Sequence, residues 1–413
     1  MSANSKHIAK MVEFYESGIK TDSQKLGVEL EYTLVYKNFD QVKYDDEFGQ
    51  KWLMESLKGK YPTPILDEAN NLIGVKNDRD SITLEPAGQF ELSAGPFNTI
   101  DEVKETFSTF ENKIDDLVTP HGIEMIPVGY HPKLKAEELT LIPKVRYSLM
   151  NQYFLANSPK GIRMMRATGS TQVSIDYSSE EDCLKKLKCS YILTPIFALI
   201  CDNTPIFEGK CRTRHLMRTK VWEDCDPRRC GIVPGVLDDD FTFEKYATYV
   251  LNTKAMFEMD DDNKNGHLTD KTTSECFGAR DINFEDCANA SSHLFNDVRL
   301  KNFIEIRPAD ALPLPMMLSY VALIKGIFYG DGNVDELLNY FGKVSENDFN
   351  EAKKSLENYG FDGEIYGKSV SAICEKIVSL AKNSLPNEEK DYLDTIEKIV
   401  STKQTLANTS CPL

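Results

Sequence analysis

Four stretches of the chain alternate apolar and polar residues, a pattern typical of β-strands that bury one face and present the other to solvent or to a site. In residues 81–96, which we take as the centre of the fold, the alternation breaks at Pro86-Ala87-Gly88 and then resumes. Glu91 follows on the face opposite Phe90 and Leu92. The other three stretches cover residues 25–37, 160–177 and 293–310.

Helical spacing of apolar residues marks several segments between and after these strands. A core-facing helix is predicted over residues 101–117, where apolar residues recur from Val103 to Leu117. The apolar stretch 183–201 predicts a buried helix that Pro195 interrupts. Further helices are predicted at residues 4–23, 51–57, 146–155, 241–257, 369–380 and 391–399.

The polar faces of the predicted strands are rich in carboxylates. At surface dielectric, two like charges 4 Å apart repel by about 4 kcal/mol, so neighbouring carboxylates either face open water or share a cation. An exposed edge strand remains an alternative for Glu29 and Glu31 taken alone. The whole set is best explained as the lining of one cavity that binds a hard cation such as Mg²⁺. Its members are Glu29, Glu31, Glu85, Glu91 and Glu305, accompanied by Gln89, Gln172 and Arg307.

Composition narrows the class of partner. The chain has 413 residues, a net charge of −17 and a pI near 5.0, which disfavours nucleic acids and anionic membranes as partners. Its ten cysteines, with no signal sequence, indicate reduced thiols and a cytoplasmic protein. The spacing of Cys225 and Cys230 fits either an incidental pair or a redox pair, and we favour the former.

One segment reverses the acidic character of the chain. Residues 203–235 are rich in cationic side chains, which suits anionic ligands, although an exposed loop with ordinary salt bridges would show the same composition. The sequence contains neither GxxxxGK nor GxGxxG, so phosphates would have to be bound by metal ions and arginines. The cationic residues are Lys210, Arg212, Arg214, Arg218, Lys220, Arg228 and Arg229.

Six motifs resemble glutamate-cysteine ligases of the plant and proteobacterial type, in that family's order and over about residues 25 to 340. They are GVELE (27–31), ITLEPAGQFELSAGP (82–96), TQVSIDYSSE (171–180), TPIFEGK (204–210), MRTKVWEDCDPRRCG (217–231) and VRLKNFIEIRPAD (298–310). The resemblance implies an α+β protein with the glutamine-synthetase-like fold, in which a curved, mostly antiparallel sheet forms a funnel over the active site. It also suggests a catalytic domain over residues 1–340 and a helical packing region over 341–413, within one domain.

The resemblance implies ATP-dependent ligation of the γ-carboxylate of glutamate to the amine of cysteine, through a γ-glutamyl phosphate. Glu29, Glu31, Glu85, Glu91, Glu305 and Gln172 would bind Mg²⁺, and Gln89 would orient a substrate or a metal-bound water. Arg307 would act with Glu91 in catalysis and would bind ATP together with Lys210. Substrates would contact Arg146, Tyr147, Arg218, Trp222 and Arg229. We expect a monomer or homodimer whose partners are glutamate, cysteine or another amine, and ATP.

The chain departs from the family at two places. Ala167-Thr168-Gly169 replaces the Arg-Thr-Cys of the family, which questions a regulatory disulfide there, and the run 211–215 could alter the amine acceptor. Two other functions therefore remain open. One is a γ-glutamyl ligase that uses a different amine, and the other is a non-catalytic nucleotide-binding regulatory protein on the same fold.

Overall fold

The computed structural model describes residues 4–22, 24–260 and 264–411. The strands are β1 (Leu26–Tyr36), β2 (Thr63–Leu66), β3 (Leu72–Lys76), β4 (Ser81–Leu84), β5 (Phe90–Phe97), β6 (Ile123–Ile126), β7 (Ser170–Ile175), β8 (Ile206–Phe207), β9 (Lys210–Cys211), β10 (Cys230–Gly231), β11 (Phe257–Met259), β12 (Gly266–Leu268), β13 (Phe295–Asn296), β14 (Val298–Leu300), β15 (Ile304–Asp310), β16 (Glu364–Ile365) and β17 (Lys368–Ser369).

The helices lie between and after these strands. They are α1 (Ser5–Glu16), α2 (Gln50–Leu57), α3 (Ile100–Val118), α4 (Val145–Asn157), α5 (Gly161–Ala167), α6 (Glu180–Ile200), α7 (Met217–Glu223), α8 (Phe243–Asn252), α9 (Thr273–Phe277), α10 (Phe284–Ser292), α11 (Leu314–Phe328), α12 (Asn333–Phe341), α13 (Glu346–Tyr359), α14 (Val370–Ser384), α15 (Asp394–Thr402) and α16 (Leu406–Ser410).

Within the described residues, nine strands form one antiparallel sheet in the order β14-β15-β7-β1-β5-β4-β3-β2, and β6 pairs with the second half of β1. The long strand β1 therefore contacts three neighbours, β5, β6 and β7. The predicted α+β class with a mostly antiparallel sheet is confirmed. The predicted break in residues 81–96 is the β4–β5 turn.

One face of this sheet is apolar and packs against helices. Alternate residues of β1 and β5, such as Leu30 and Leu92, are fully buried, and α3, α6 and α11 cover this side. Helix α3 begins at a capping box, in which Thr99 and Glu102 satisfy each other's backbone N–H groups. Phe110 of α3 lies against Tyr32 and Phe90, so the helix holds β1 and β5 in register.

Five sequence predictions need correction. Residues 161–167 of the predicted strand stretch 160–177 form helix α5, and the helix predicted over 241–257 is confined to α8, since Phe257 already belongs to β11. Helix α6 runs through Pro195 without interruption, because surrounding apolar side chains bury its second half, from Cys189 to Ile200. Residues 293–310 contain a hairpin, β14 and β15, rather than one strand. Helix α1 ends at Glu16, before the predicted end at Ser23, and Ser23 itself lies outside the described residues.

The helices after residue 341 pack onto the same body. Helix α14 lies on α11, and α13 contacts α6. Lys353 of α13 forms a buried ion pair with Asp297, and Cys411 forms a disulfide with Cys211. The expectation that all cysteines are reduced is therefore wrong for this pair. In the described part of the chain, no helix has the length and apolarity to cross a membrane.

We predict that Phe110→Ala lowers the free energy of unfolding by about 3–5 kcal/mol, because it leaves a cavity between α3 and the sheet. Urea unfolding followed by circular dichroism measures this change. Lys113→Ala, an exposed position on the same helix, serves as the control and should shift the midpoint little. Equal shifts for both variants would contradict the packing role of Phe110.

Candidate active site

The second face of the sheet collects the predicted carboxylates. Glu31 of β1 lies directly opposite Glu91 of β5, and Glu29 lies opposite Gln172 of β7. Glu305 of β15 is opposite Ser174, two residues beyond Gln172 on β7. Because paired residues share a face in an antiparallel sheet, these groups project to the same side. The sequence prediction that they share one face is confirmed.

Burial and mutual repulsion perturb these carboxylates. Burial, followed by the charges of Glu91 and Glu85, raises the pKa of Glu31 to about 8. Burial and Glu91 raise the pKa of Glu29 to about 7, and burial and Glu85 raise that of Glu91 to about 7. The pKa of Glu85 is also raised, by burial, although Lys144 opposes the shift. A cation bound here would favour the ionised forms.

The carboxylate and amide oxygens on this face suit a hard cation whose coordination shell is completed by a bound substrate. Buried carboxylate and amide oxygens are the donors that Mg²⁺ prefers. Among the residues that the structure describes, no three acidic, imidazole or thiol groups converge into a preformed metal centre. Mg²⁺ is usually bound by one or two carboxylates together with substrate phosphates, so this arrangement suits a metal that arrives with a nucleotide.

Glu305 differs from the other carboxylates. Its Oε2 accepts hydrogen bonds from Arg299 at 2.7 Å and Arg307 at 2.8 Å, and its Oε1 accepts from Lys301 at 2.8 Å. Although burial raises its pKa, these three cations hold it well below the ordinary value. Because both oxygens are engaged, the structure does not support the predicted metal-ligand role, and Glu305 instead orients Arg307.

Arg307, Arg218 and Trp222 form a stack beside the carboxylate face. The guanidinium of Arg218 lies 4.9 Å from the Trp222 ring centroid and that of Arg307 lies 5.6 Å away. Arg307 donates to Gln172 and Glu305, and Arg218 donates to the carbonyls of Arg307 and Pro308. In the described structure, Nε of both arginines and Nε1 of Trp222 are buried without a hydrogen-bond acceptor. These donors suit an incoming carboxylate or phosphate oxygen.

Three predicted site residues are engaged or located elsewhere. Arg229 is fully buried, and its guanidinium donates to Asp226, Tyr153 and two backbone carbonyls, so it is structural. The amide of Gln89 bridges Ala87 N to the Thr168 carbonyl, which holds the β4–β5 turn against α5. Lys210 is exposed on the β8–β9 hairpin, which packs on Tyr130. The structure therefore does not support the ligand-binding role predicted for any of the three.

A second cationic region lies next to Glu85, at the start of α4. Arg146 donates to Ser292 at 2.8 Å, and the Lys144 ammonium lies 4.4 Å from the ring centroid of Tyr147. Burial lowers the pKa of both Arg146 and Lys144. Within the described ranges, neither cation has a carboxylate within ion-pair distance. The two can therefore bind an anionic group of a ligand.

A groove of about 340 Å³ opens at the other end of the carboxylate face, beside Glu29. At its floor the backbones of two glycines meet closely, since a Cβ on Gly95 would lie 3.2 Å from the Gly27 Cα. Apolar surface dominates the groove, and cations flank it. Its lining includes Val28, Ala94, Pro96, Ile175, Phe303, Lys20, Lys25 and Arg79.

Sequence reasoning missed Arg299, Lys301 and Lys144. A signal was present for the first two, because Arg299 and Lys301 alternate with Val298 and Leu300, Arg299 within β14 and Lys301 directly after it. Arg299 is directly opposite Glu305 in that hairpin. No comparable periodic signal marks Lys144, which precedes a helix and becomes significant only through the packing of α4 near Glu85.

Comparisons with known proteins agree with the fold and the motifs. A family model described as glutamate-cysteine ligase family 2 (GCS2) matches residues 25–404. The chloroplastic glutamate–cysteine ligase of Arabidopsis thaliana is 28% identical over 411 residues, covering 96% of this chain and 78% of that protein. The Brassica juncea enzyme is 28% identical over 402 residues, covering 94% of this chain and 76% of that protein.

A solved structure of glutamate–cysteine ligase from Francisella tularensis in complex with AMP superposes with a TM-score of 0.56. The match covers 95% of this chain and 84% of that chain at 10% sequence identity, so it bears on the fold alone. The predicted glutamine-synthetase-like fold is confirmed.

We predict that Glu31→Gln is stabilising in EDTA, and increasingly so between pH 5 and pH 8. The raised pKa of Glu31, about 8, means that the folded state retains a proton that the unfolded state has lost. The stability that the protonated Glu31 side chain gives the folded state is therefore fully present below the ordinary glutamate pKa. It is lost as pH rises through about 8. Melting temperatures of variant and wild type across this range test this, with exposed Glu364→Gln as control. A pH-independent difference would contradict it.

Proposed function

Because this chain belongs to glutamate-cysteine ligase family 2, a family of ATP-dependent carboxylate–amine ligases, we propose that it joins the γ-carboxylate of glutamate to the amine of L-cysteine. The observation that carries the proposal is the largely enclosed carboxylate face, with the Arg307–Arg218–Trp222 stack beside it. Phosphoryl transfer needs positioning and charge neutralisation, which these two sets of groups can supply.

In the proposed reaction, an oxygen of the glutamate γ-carboxylate attacks the γ-phosphorus of ATP and ADP leaves. The amine nitrogen of cysteine, having lost its proton to water, then attacks the carbonyl carbon of the γ-glutamyl phosphate, and phosphate leaves. Glu29, Glu31, Glu85 and Glu91 would bind Mg²⁺, which would neutralise the phosphate oxygens, with Gln172 close to Glu31.

Arg307 is the proposed cation for the transferred phosphoryl group. Glu305 and Gln172 fix its Nη1, while its Nε is a buried donor with no acceptor among the described groups. Although burial lowers the pKa of Arg307, the Glu305 carboxylate raises it above the ordinary value, so the guanidinium remains charged. Arg218 and Trp222, the other two members of the stack, are the proposed contacts for the glutamate α-carboxylate.

The groove beside Glu29 is the proposed binding site for the nucleotide base and ribose. Its apolar walls suit a planar base, and Lys25 at its edge suits phosphate oxygens, whereas Lys20 is paired with Asp176 and Arg79 with Asp80. The position of Glu29 in this lining would bring the phosphates onto the carboxylate face. The proposal replaces Lys210, the cation first predicted for ATP.

The opposite end, at Lys144, Arg146 and Tyr147, is the proposed site for the acceptor. Glutamate and cysteine both carry an α-carboxylate, so a glutamate–cysteine ligase needs a second cationic site besides the one that holds glutamate. Lys144 and Arg146 provide it next to Glu85. We also propose that residues 341–413 pack as part of the same domain, since α13 reaches Asp297 beside the arginine stack.

Two alternatives share this fold. A γ-glutamyl ligase with another amine acceptor would retain the carboxylate face and differ only around Lys144. A non-catalytic nucleotide-binding protein is less well supported, because it would have no use for buried, mutually repelling carboxylates that weaken the folded state.

We predict that Glu91→Gln lowers kcat for ADP release by about 10²-fold or more, because it removes a proposed metal ligand from the centre of the face. A coupled ADP assay with glutamate, L-cysteine and Mg²⁺ measures it, with Glu364→Gln as the control. Unchanged turnover in a correctly folded Glu91→Gln protein would exclude the metal role. Absence of ADP release from the wild type with any amine would favour the non-catalytic alternative.

We predict that Lys144→Met raises the KM for L-cysteine about ten- to a hundredfold, the effect of losing one charge-assisted hydrogen bond. The KM for cysteamine, which lacks the carboxylate, should change little, because the lost contact never existed for it. Exposed Lys37→Met is the control. Equal effects on both amines would show that Lys144 does not read the acceptor carboxylate.

A further inference from the structure

One histidine, His293, lies with a free imidazole beside the proposed acceptor site. Among the described groups, neither of its ring nitrogens has a hydrogen-bond or ion-pair partner. The side chain is half-buried, and its ring lies against that of Phe257, with 5.3 Å between the centroids. An imidazole that is partly accessible and has no partner in the protein can exchange a proton with a bound molecule.

The other five histidines are engaged or lie elsewhere. Both ring nitrogens of His7 are hydrogen-bonded. Nδ1 of His131 accepts from two backbone N–H groups, and His121 stacks on an aromatic ring. His267 lies 3.8 and 3.7 Å from two carboxylates, and His215 packs against the end of α13. His293 is therefore the histidine that the described structure leaves available near the site.

Two arginines fix the backbone that carries His293. Arg229 donates to the His293 carbonyl at 3.1 Å, and Arg146 donates to the hydroxyl of the preceding residue, Ser292, at 2.8 Å. Arg146 belongs to the proposed acceptor site, and its charge acts on both Glu85 and His293. His293 thus lies at the acceptor end of the carboxylate face, and Arg229, predicted from the sequence as a substrate ligand, positions it.

The surrounding charges keep the imidazole neutral. Burial lowers the pKa of His293 well below its ordinary value, and the charges of Arg146 and then Arg229 lower it further. Strand β11 contributes only the uncharged Phe257 to this contact. The end of α10, at Ser292, favours a cation, but burial and the two arginines outweigh it. His293 therefore keeps a free lone pair at neutral pH, as a base must.

The other titratable groups at this end are less suited to accept a proton. Burial raises the pKa of Tyr147 well above its ordinary value, so the phenol stays protonated. Lys144 and Arg146 are the proposed cations for the acceptor carboxylate, and Glu85 is a proposed metal ligand. Glu68 lies near both cations and opposes the lowering of their pKa, so its charge already balances them.

We propose that His293 is the catalytic base of the second step, which takes a proton from the acceptor nitrogen as that nitrogen bonds to the γ-carbonyl carbon. The neutral amine carries two protons, and one must leave when the N–C bond forms and the C–O bond to phosphate breaks. The bonded nitrogen is acidic, so a weakly basic imidazole suffices. The imidazolium then passes the proton through water to the departing phosphate, which leaves as hydrogen phosphate. The inference rests on the proposed function for the reaction itself.

Nuclear magnetic resonance tests the neutral imidazole without turnover. The C2 proton resonance that is missing in His293→Asn identifies His293. In the wild type this resonance should not titrate between about pH 6 and pH 8. In Arg146→Gln its titration should move to higher pH, because one of the two charges that lower the pKa is gone. A wild-type resonance that titrates near the ordinary histidine pKa, and does not move in Arg146→Gln, would overturn the proposal.

Kinetics test the proton transfer. His293→Asn should lower kcat with L-cysteine by about 10²-fold or more, the lower end of what a general base contributes. Hydroxylamine, whose nitrogen loses its proton to water readily once bonded, should be affected much less as acceptor. Added imidazole should restore part of the L-cysteine rate in His293→Ala. The exposed His267→Asn is the matched control and should behave as the wild type.

The first step separates this proposal from the proposed function. With glutamate, Mg²⁺ and ATP labelled with heavy oxygen in its β,γ-bridge, reversible formation of γ-glutamyl phosphate scrambles the label without an acceptor. His293→Asn should scramble it at the wild-type rate. No scrambling in the wild type would defeat the proposed function, and the base with it.

If the wild type scrambles the label, three results would overturn the base alone. They are an unchanged kcat with L-cysteine in folded His293→Asn, equal losses with both acceptors, and an acceptor-selective loss in Glu68→Gln in place of His293→Asn.

Discussion

Repulsion among closely spaced, partly buried carboxylates is the constraint on which this structure depends. Glu29, Glu31 and Glu91 lie on one polar face because β1 and β5 are held in register by the apolar residues on their other side, above all where Phe110 of α3 packs on Tyr32 and Phe90. Packing energy on one face therefore maintains an electrostatically unfavourable arrangement on the other. A surface that weakens the folded state in this way has a physical rationale when a cation and its phosphate ligand are to be bound there.

Cations are distributed unevenly around this face. The distribution distinguishes the carboxylate that orients an arginine from the carboxylates that are available to a bound ion. Glu305 takes three of them, Arg299, Lys301 and Arg307, and so remains ionised even though it is completely buried. Among the residues that the structure describes, the carboxylates of β1 and β5 receive hydroxyl, amide and backbone donors and no charged one. The first arrangement fixes the direction of an arginine. The second leaves negative charge for an incoming ion.

Much of this site could be predicted from the sequence, because the period of two in a strand assigns each residue to a face without knowledge of the partner strand. That is why Glu29, Glu31, Glu91 and Gln172 were predicted together. The alternation of residues between the two faces of a strand does not reveal what each side chain contacts. The sequence therefore predicts a metal ligand at Glu305 and a substrate ligand at Arg229, roles that the structure does not support. Gln89 sits in the turn just before β5, where strand parity no longer applies. Lys144 and the Cys211–Cys411 pair depend on contacts between segments distant in sequence, for which a single sequence holds no periodic signal.

The two ends of the carboxylate face have different proposed roles, one in binding the nucleotide and the other in binding the acceptor. The glycine-floored groove beside Glu29 and the central carboxylates are the proposed sites for phosphoryl transfer, a step that ATP-dependent carboxylate–amine ligases have in common. The region around Lys144 and Arg146 is the proposed contact for the acceptor, so its shape and charge would determine which amine is used. In the proposed acceptor site, an α-carboxylate would supply a counter-charge to these two half-buried cations, which a simple amine would not. The charges thus favour an amino acid as acceptor on grounds independent of the family.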